Sequence, residues 1–141
     1  MMQGHTGGCY CGNLHFTMQL ANGASSYQPR ACDCDFCCKH GAAWLSDPAG
    51  SLYITVEDST QLRRFRQGSE QAEFLLCGQC GVLIGVCYQQ AGQRFAAVNV
   101  RAVASSSFAA VVPASPKQLS ASEKTARWLR LWFPNVVLKT V

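Results

Sequence analysis

The sequence predicts a mainly β fold of antiparallel sheets with one helix near the C-terminus, and three observations carry that prediction. Leu14, Phe16, Met18 and Leu20 alternate with polar residues, as do Leu52, Ile54 and Val56, which is the two-residue period of a half-buried strand. Residues 62–67 and 72–76 form two further runs on either side of Gly68-Ser69-Glu70, a hairpin signal. Helical spacing is confined to one place. Ser120 and Glu123 make a capping box, Ala121, Trp128, Leu129 and Trp132 follow at helical intervals, and Pro134 stops the helix.

Taken in order, residues 1–8 read as a polar leader. Gly8-Cys9-Tyr10-Cys11-Gly12 comes next. On an ideal strand, residues two apart are separated by roughly 6.6 Å, whereas two sulfurs on one tetrahedral zinc lie about 3.8 Å apart. The backbone must therefore bend between Cys9 and Cys11, and Gly8 and Gly12 permit the bend. The first strand, 14–20, gives way to a turn over 21–26, and 27–30 leads into a cluster of four cysteines at 32–38. Residues 41–45 read as a short strand ended by Asp47-Pro48-Ala49-Gly50. Residues 82–88 and 95–100 read as two strands separated by 89–93, residues 104–119 as a connection rich in Ser, Ala and Pro, and 136–141 as a last strand.

The chain has 141 residues, which suits a single domain over 1–141, and its 48% hydrophobic content is enough for a core of its own. The net charge is +4, and no run of Lys or Arg marks a nucleic-acid stripe, so nucleic acid is not an expected partner. A small anionic ligand suits such a surface. No apolar run approaches membrane-spanning length. The segment Met1-Met2-Gln3-Gly4-His5 lacks the basic and apolar regions of a secretory signal, the nine cysteines are an odd number, and they lie too close together to staple distant segments. Reduced, metal-binding thiols in the cytoplasm are the expectation.

The cysteines fall into sets with ligand spacing. Cys9-x-Cys11 and Cys77-x-x-Cys80 supply four thiols from two distant segments, a closed structural zinc site. Cys32, Cys34 and Cys37 supply three, which leaves one tetrahedral position open, as catalytic zinc sites do. A soft site of this kind attracts a further thiolate or a water. The alternative is that His40 or Cys38 closes the set and makes it structural. Cys87, between Val86 and Tyr88, reads as a core thiol. His5 and His15 read as solvent-facing or satisfied histidines, Asp33 and Asp35 as solvated or bonded to turn amides, and Arg63, Arg64 and Arg66 as a strand face able to meet carboxylates. The zinc deaminase H-x-E is absent, as are the metalloprotease H-E-x-x-H, the G-x-S-x-G elbow and the phosphate-binding loop.

Four motifs together resemble one family. They are Gly8-Cys9-Tyr10-Cys11-Gly12-Asn13-Leu14-His15-Phe16, Cys32-Asp33-Cys34-Asp35-Phe36-Cys37-Cys38-Lys39-His40-Gly41, Phe74-Leu75-Leu76-Cys77-Gly78-Gln79-Cys80-Gly81 and Val98-Asn99-Val100-Arg101. In this order they are similar to those of the glutathione-dependent formaldehyde-activating enzymes and centromere protein V, over residues 4–101. The resemblance implies a β-tent zinc-binding fold. It implies two zinc ions per chain, a structural one on Cys9, Cys11, Cys77 and Cys80 and a second on Cys32, Cys34 and Cys37. It also implies carbon–sulfur lyase chemistry on a thiol–aldehyde adduct such as S-hydroxymethylglutathione, with a small thiol such as glutathione as partner. By chemistry alone, Lys39, His40 and Tyr53 are candidates for a general acid. The competing expectation is a non-catalytic zinc module or thiol carrier that binds a protein, nucleic acid or glutathione.

Overall fold

The computed structural model of the chain describes residues 3–104 and 107–141. Met1 and Met2 of the expected leader, and Ser105 and Ser106 of the expected connection, lie outside the described residues. Among the described residues the fold is mainly β. Strands β1 (Gln3–Gly8), β2 (Leu14–Leu20), β5 (Ser51–Val56) and β11 (Val137–Thr140) form a four-stranded sheet in that order. The second sheet has seven strands in the order β10, β3, β4, β9, β8, β7, β6. These are β3 (Arg30–Cys32), β4 (Trp44–Leu45), β6 (Leu62–Phe65), β7 (Glu73–Cys77), β8 (Leu83–Gln90), β9 (Gln93–Asn99) and β10 (Val112–Ala114). Two helices accompany them, α1 (Asp35–His40) and α2 (Ala121–Leu131). Pairing is antiparallel except at β10–β3 and β11–β5, which are parallel.

The expected mainly β class holds, with four local differences. Residues 3–8 are not a loose leader: they pair with β2 along its length, from Gln3 opposite Leu20 to Gly8 opposite His15. Gly7 and Gly8 admit this approach, because a Cβ on Gly7 would lie 2.5 Å from the Phe16 ring, and one on Gly8 2.6 Å from the Leu14 carbonyl oxygen. The central cysteine cluster, to which the sequence assigns no regular element, runs from the end of β3 into a short helix, α1. β8 and β9 run further than their apolar cores suggest, and the turn shrinks to Ala91 and Gly92, both at positive φ. The 104–119 connection contributes β10 beside β3 and a 3-10 turn at Pro116–Gln118.

Apolar alternation explains how the layers assemble. β2 and β5 turn Leu14, Phe16, Met18, Leu20, Leu52, Ile54 and Val56 onto Leu75, Ile84, Ala96 and Val98 of the larger sheet. The other face of β7, β8 and β9 carries Phe74, Leu83, Val86, Phe95 and Ala97, and these pack against Trp44, Trp128 and Trp132. Those three strands are therefore buried on both sides. A register shift between Leu75 and Leu76 opposite Gly85 marks the one irregularity in their pairing.

Helix α2 starts as the sequence indicates. Ser120 accepts a bond from the Glu123 amide, and the Glu123 carboxylate accepts one from the Ser120 amide. Only Trp128 within it is buried, with Trp132 buried at its C-terminal end. Ala121 and Leu129 face solvent, because Leu129 is one residue, about 100°, around the helix from Trp128.

Asp47 ties several connections together at a buried position. Its carboxylate accepts from the Ala21 amide at 2.9 Å, the Tyr27 hydroxyl at 2.6 Å and the Ala49 amide at 2.9 Å. Burial pushes its pKa up, but these three donors outweigh burial and hold it below the ordinary 3.8. A folded-state pKa below the unfolded one contributes stability that is complete above the unfolded value and lost as pH falls through the folded one. Asp47→Asn, which leaves at least one donor unpaired, should cost about 1–3 kcal/mol at pH 7. The gap from the wild type should shrink below about pH 4. Urea unfolding at pH 7 and pH 3 checks both, and an Asp47→Asn protein of wild-type stability at pH 7 would remove Asp47 from this role.

Candidate metal centres and cavity

Two turns build the first thiol group. Cys9 and Cys11 lie in the β1–β2 connection. The Cys9 amide donates to the Leu14 carbonyl at 2.8 Å, and the Leu14 amide donates to the Cys9 sulfur at 3.3 Å. Gly12 follows at φ +85°, a conformation that L side chains rarely adopt. Cys77 ends β7, and its sulfur accepts from the Gln79 and Cys80 amides at 3.3 and 3.4 Å. Gly81 after it has φ +80°. Both turns thus aim amides at sulfur.

The four sulfurs lie within 4.8 Å of one another. Cys9 to Cys11 is 3.7 Å and Cys11 to Cys77 is 3.6 Å. Sulfurs about 3.8 Å apart are what a tetrahedral zinc with four thiolates requires, so this donor set fits the ion. The group joins the β1–β2 turn of one sheet to the β7–β8 turn of the other.

The second group grows from a strand end and a helix start. Cys32 closes β3, Cys34 caps α1, and Cys37 is buried one turn into the helix. The Cys37 amide donates to the Cys34 sulfur at 3.4 Å, in the way an N-cap side chain receives an amide. Asp35 in the first turn, Lys39 and His40 in the last, and Gly41 at φ 61° complete the helix signals. Phe36 anchors it on Phe74, ring centroids 4.6 Å apart. The sulfurs of Cys32, Cys34 and Cys37 lie within 4.8 Å of one another. Neither Cys38 nor His40 joins them. Cys38 is exposed and its thiol points to the Cys32 carbonyl at 3.8 Å, while the His40 ring lies against Phe36. The set therefore ends at three thiols, a donor group that suits a thiophilic ion with a position to spare.

The thiols within each group share protons unequally. Cys32 is lowered to about 6, chiefly by the hydrogen bond from Cys37, against burial and with help from the Cys34 amide. Cys37 is raised because it donates that bond and is buried. In the first group, burial works against Cys80, but the Cys11 and Val82 amides and the Cys77 and Cys9 thiols bring it to about 6. Each group thus presents one ready thiolate to a cation, and binding would expel the remaining protons.

The three-thiol group opens into a cavity of about 130 Å³ on the outer face of the larger sheet. Trp44, Phe74, Val86, Trp128 and Trp132 form its apolar lining. Arg30, Lys117, Lys124 and Arg127 line it too, with Gln67 and Ser69 from the β6–β7 connection. The Gln67 amide nitrogen lies 3.9 Å from the Cys34 sulfur. Of the general-acid candidates read from the sequence, Lys39, His40 and Tyr53 do not line this cavity. The residues that do were missed. Lys124, Arg127 and Trp128 share a helix face at i, i+3 and i+4, a signal that was available.

The remaining expectations resolve simply. Cys87 is buried, and burial raises its thiol to about 11. His15 pairs with Glu57 at 2.8 Å, and Arg64 and Arg66 each meet Glu73 at 3.3 Å. Asp33 accepts from the Ser115 hydroxyl at 2.7 Å and faces Lys117 at 4.0 Å, which fastens β3 to the segment after β10. No helix among the described residues is long and apolar enough to cross a membrane.

Cys9→Ser and Cys80→Ser should each lower metal content and the thermal midpoint together, since a structural ligand contributes folding free energy directly. Cys87→Ala should keep wild-type metal content. Mild chelation should empty the three-thiol group first and leave the protein folded. Elemental analysis with circular dichroism checks this, and a Cys80→Ser protein with wild-type midpoint and metal content would exclude the four-thiol group as a metal site.

The chain matches no protein-family model and no curated protein. It is similar to a Rhodobacter sphaeroides protein of known crystal structure, with a TM-score of 0.53 and 23% identity over 72% of this chain and 90% of that one. This likeness shows a shared fold, one that spans most of both chains.

Proposed function

We propose that the protein is a zinc-dependent carbon–sulfur lyase of the glutathione-dependent formaldehyde-activating type, acting on a thiol–aldehyde adduct. The observation that supports this best is that Cys32, Cys34 and Cys37, and not the four-thiol group, line the cavity. A purely structural metal has no need of a cavity, whereas an exchangeable coordination position is useful only beside one. Zinc held by these three sulfurs would supply Lewis acidity and favour the ionised form of an incoming thiol.

The chain's own residues supply the rest. Trp44, Phe74, Trp128 and Trp132 keep water from the adduct and strengthen every polar contact made there. In the joining direction, the sulfur lone pair forms the carbon–sulfur bond, the carbonyl π pair moves to oxygen, and that oxygen takes a proton. Lys124 and Lys117 are the lining groups that can give it that proton, and the Gln67 amide can donate it a hydrogen bond. In the cleaving direction, the hydroxyl proton leaves, the carbonyl re-forms, and the carbon–sulfur pair returns to sulfur. The second reading, a non-catalytic zinc module or thiol carrier, requires the same thiols but no donor at the oxygen.

Titration of cobalt-substituted protein with glutathione, read by its absorption spectrum, tests the open position, and release of formaldehyde from S-hydroxymethylglutathione tests the chemistry. Cys34→Ser should lose both responses, and Cys38→Ser should keep both. If Cys38→Ser loses metal as fully as Cys34→Ser, or if activity survives removal of this metal, the lyase reading fails and the module reading replaces it.

A further inference from the structure

The cavity is lined by four cations and by no Asp or Glu. Three thiolates holding one divalent ion carry a single net negative charge, and Asp33 offsets Lys117, so two positive charges are left over. Among the described residues neither Arg30 nor Arg127 forms an ion pair. Arg30 is nonetheless held in place. One of its terminal nitrogens donates to the Ser46 hydroxyl at 2.8 Å, and that hydroxyl donates to the Leu131 carbonyl at 2.7 Å. Arg30 comes from β3 and Arg127 from α2, so two separate elements bring guanidinium groups to one cavity. Two partly buried guanidinium groups that line one cavity with no ion pair of their own are unfavourable unless an anion joins them. The planar fork of arginine suits an oxyanion and is anchored at one end here.

Resting on the thiol-site reading above, we infer that Arg30 and Arg127 form an oxyanion subsite. The ligand is then a small thiol that bears a carboxylate or another oxyanion at the end remote from its sulfur. One cavity would then hold both groups of the ligand, the sulfur at Cys32, Cys34 and Cys37 and the oxyanion at the two arginines. Aminothiols are disfavoured, because no acidic residue lines the cavity to receive an ammonium group.

The test compares mercaptosuccinate, 2-mercaptoethanol and cysteamine as ligands of the cobalt-substituted full chain, with succinate and inorganic phosphate as thiol-free probes read by thermal unfolding. Mercaptosuccinate should reach half-saturation at roughly tenfold to hundredfold lower concentration than 2-mercaptoethanol. Cysteamine should be the weakest. In Arg127→Gln the midpoints should converge, while Arg127→Lys should restore part of the preference. Arg30→Gln is the second variant, checked for folding by its thermal midpoint. Protection by phosphate in place of succinate would support the subsite and identify its anion as phosphate. Equal midpoints for all three thiols in the wild type would overturn the subsite and leave the thiol site standing. Arginine variants that lose cobalt affinity without any change in thiol preference would also overturn it, since the arginines would then only balance the thiolates. No spectral response to any thiol, together with arginine-dependent protection by succinate, would sink the thiol-site reading and support the subsite.

Discussion

Burial of β7, β8 and β9 on both faces is the constraint from which the rest of the structure follows. One face closes the core against the smaller sheet, through Leu75, Ile84 and Val98. The other needs a cover of its own, and α2 provides it with Trp128 and Trp132. Covering the sheet with one short helix leaves a gap bounded by α2, the β3–β10 segments and the β6–β7 connection. The cavity occupies that gap, and its floor is made of the same side chains that hold the helix down. The apolar character of the cavity is thus a by-product of packing, while its charges are not, since Arg30, Lys117, Lys124 and Arg127 are not needed to bury anything.

The two thiol groups divide the work along this architecture. The four-thiol group sits where turns from the two sheets meet, so a metal there would hold the sheets together at one end of the core. The three-thiol group sits on the opposite face of the larger sheet, at the junction of β3 and α1. Cys38 and His40 stay outside it, because the exposed Cys38 thiol points to the Cys32 carbonyl and the His40 ring lies against Phe36. A six-residue helix is marginal on its own, and its placement depends on the contacts of Phe36 with Phe74 and Phe65.

The segment between β9 and α2 shows how a polar connection becomes part of a site. Among its described residues, Val103 makes an isolated bridge to Gly7, and three of β10 pair with β3. That pairing, with the Ser115–Asp33 bond, brings Lys117 to the rim of the three-thiol group. The end of β3 thereby carries a ligand on one residue, Cys32, and a tether on the next, Asp33.

What the sequence by itself determined is what depends on short separations. The thiol sets were legible because ligands two or three residues apart reach one ion once the chain turns between them, and neighbouring glycines mark where it can turn. The two central strands of the smaller sheet, β2 and β5, were legible because they are buried on one face and alternate cleanly. The capping box of α2 was legible because both of its partners lie within one turn. The tertiary structure alone decided the pairing of residues 3–8 with β2, the parallel additions of β10 and β11, and the convergence of Arg30, Gln67, Lys117, Lys124 and Arg127 on one cavity. Those residues come from four segments, each reads locally as ordinary surface, and only the packing of α2 and the strand edges over a doubly buried sheet brings them within reach of the same sulfurs.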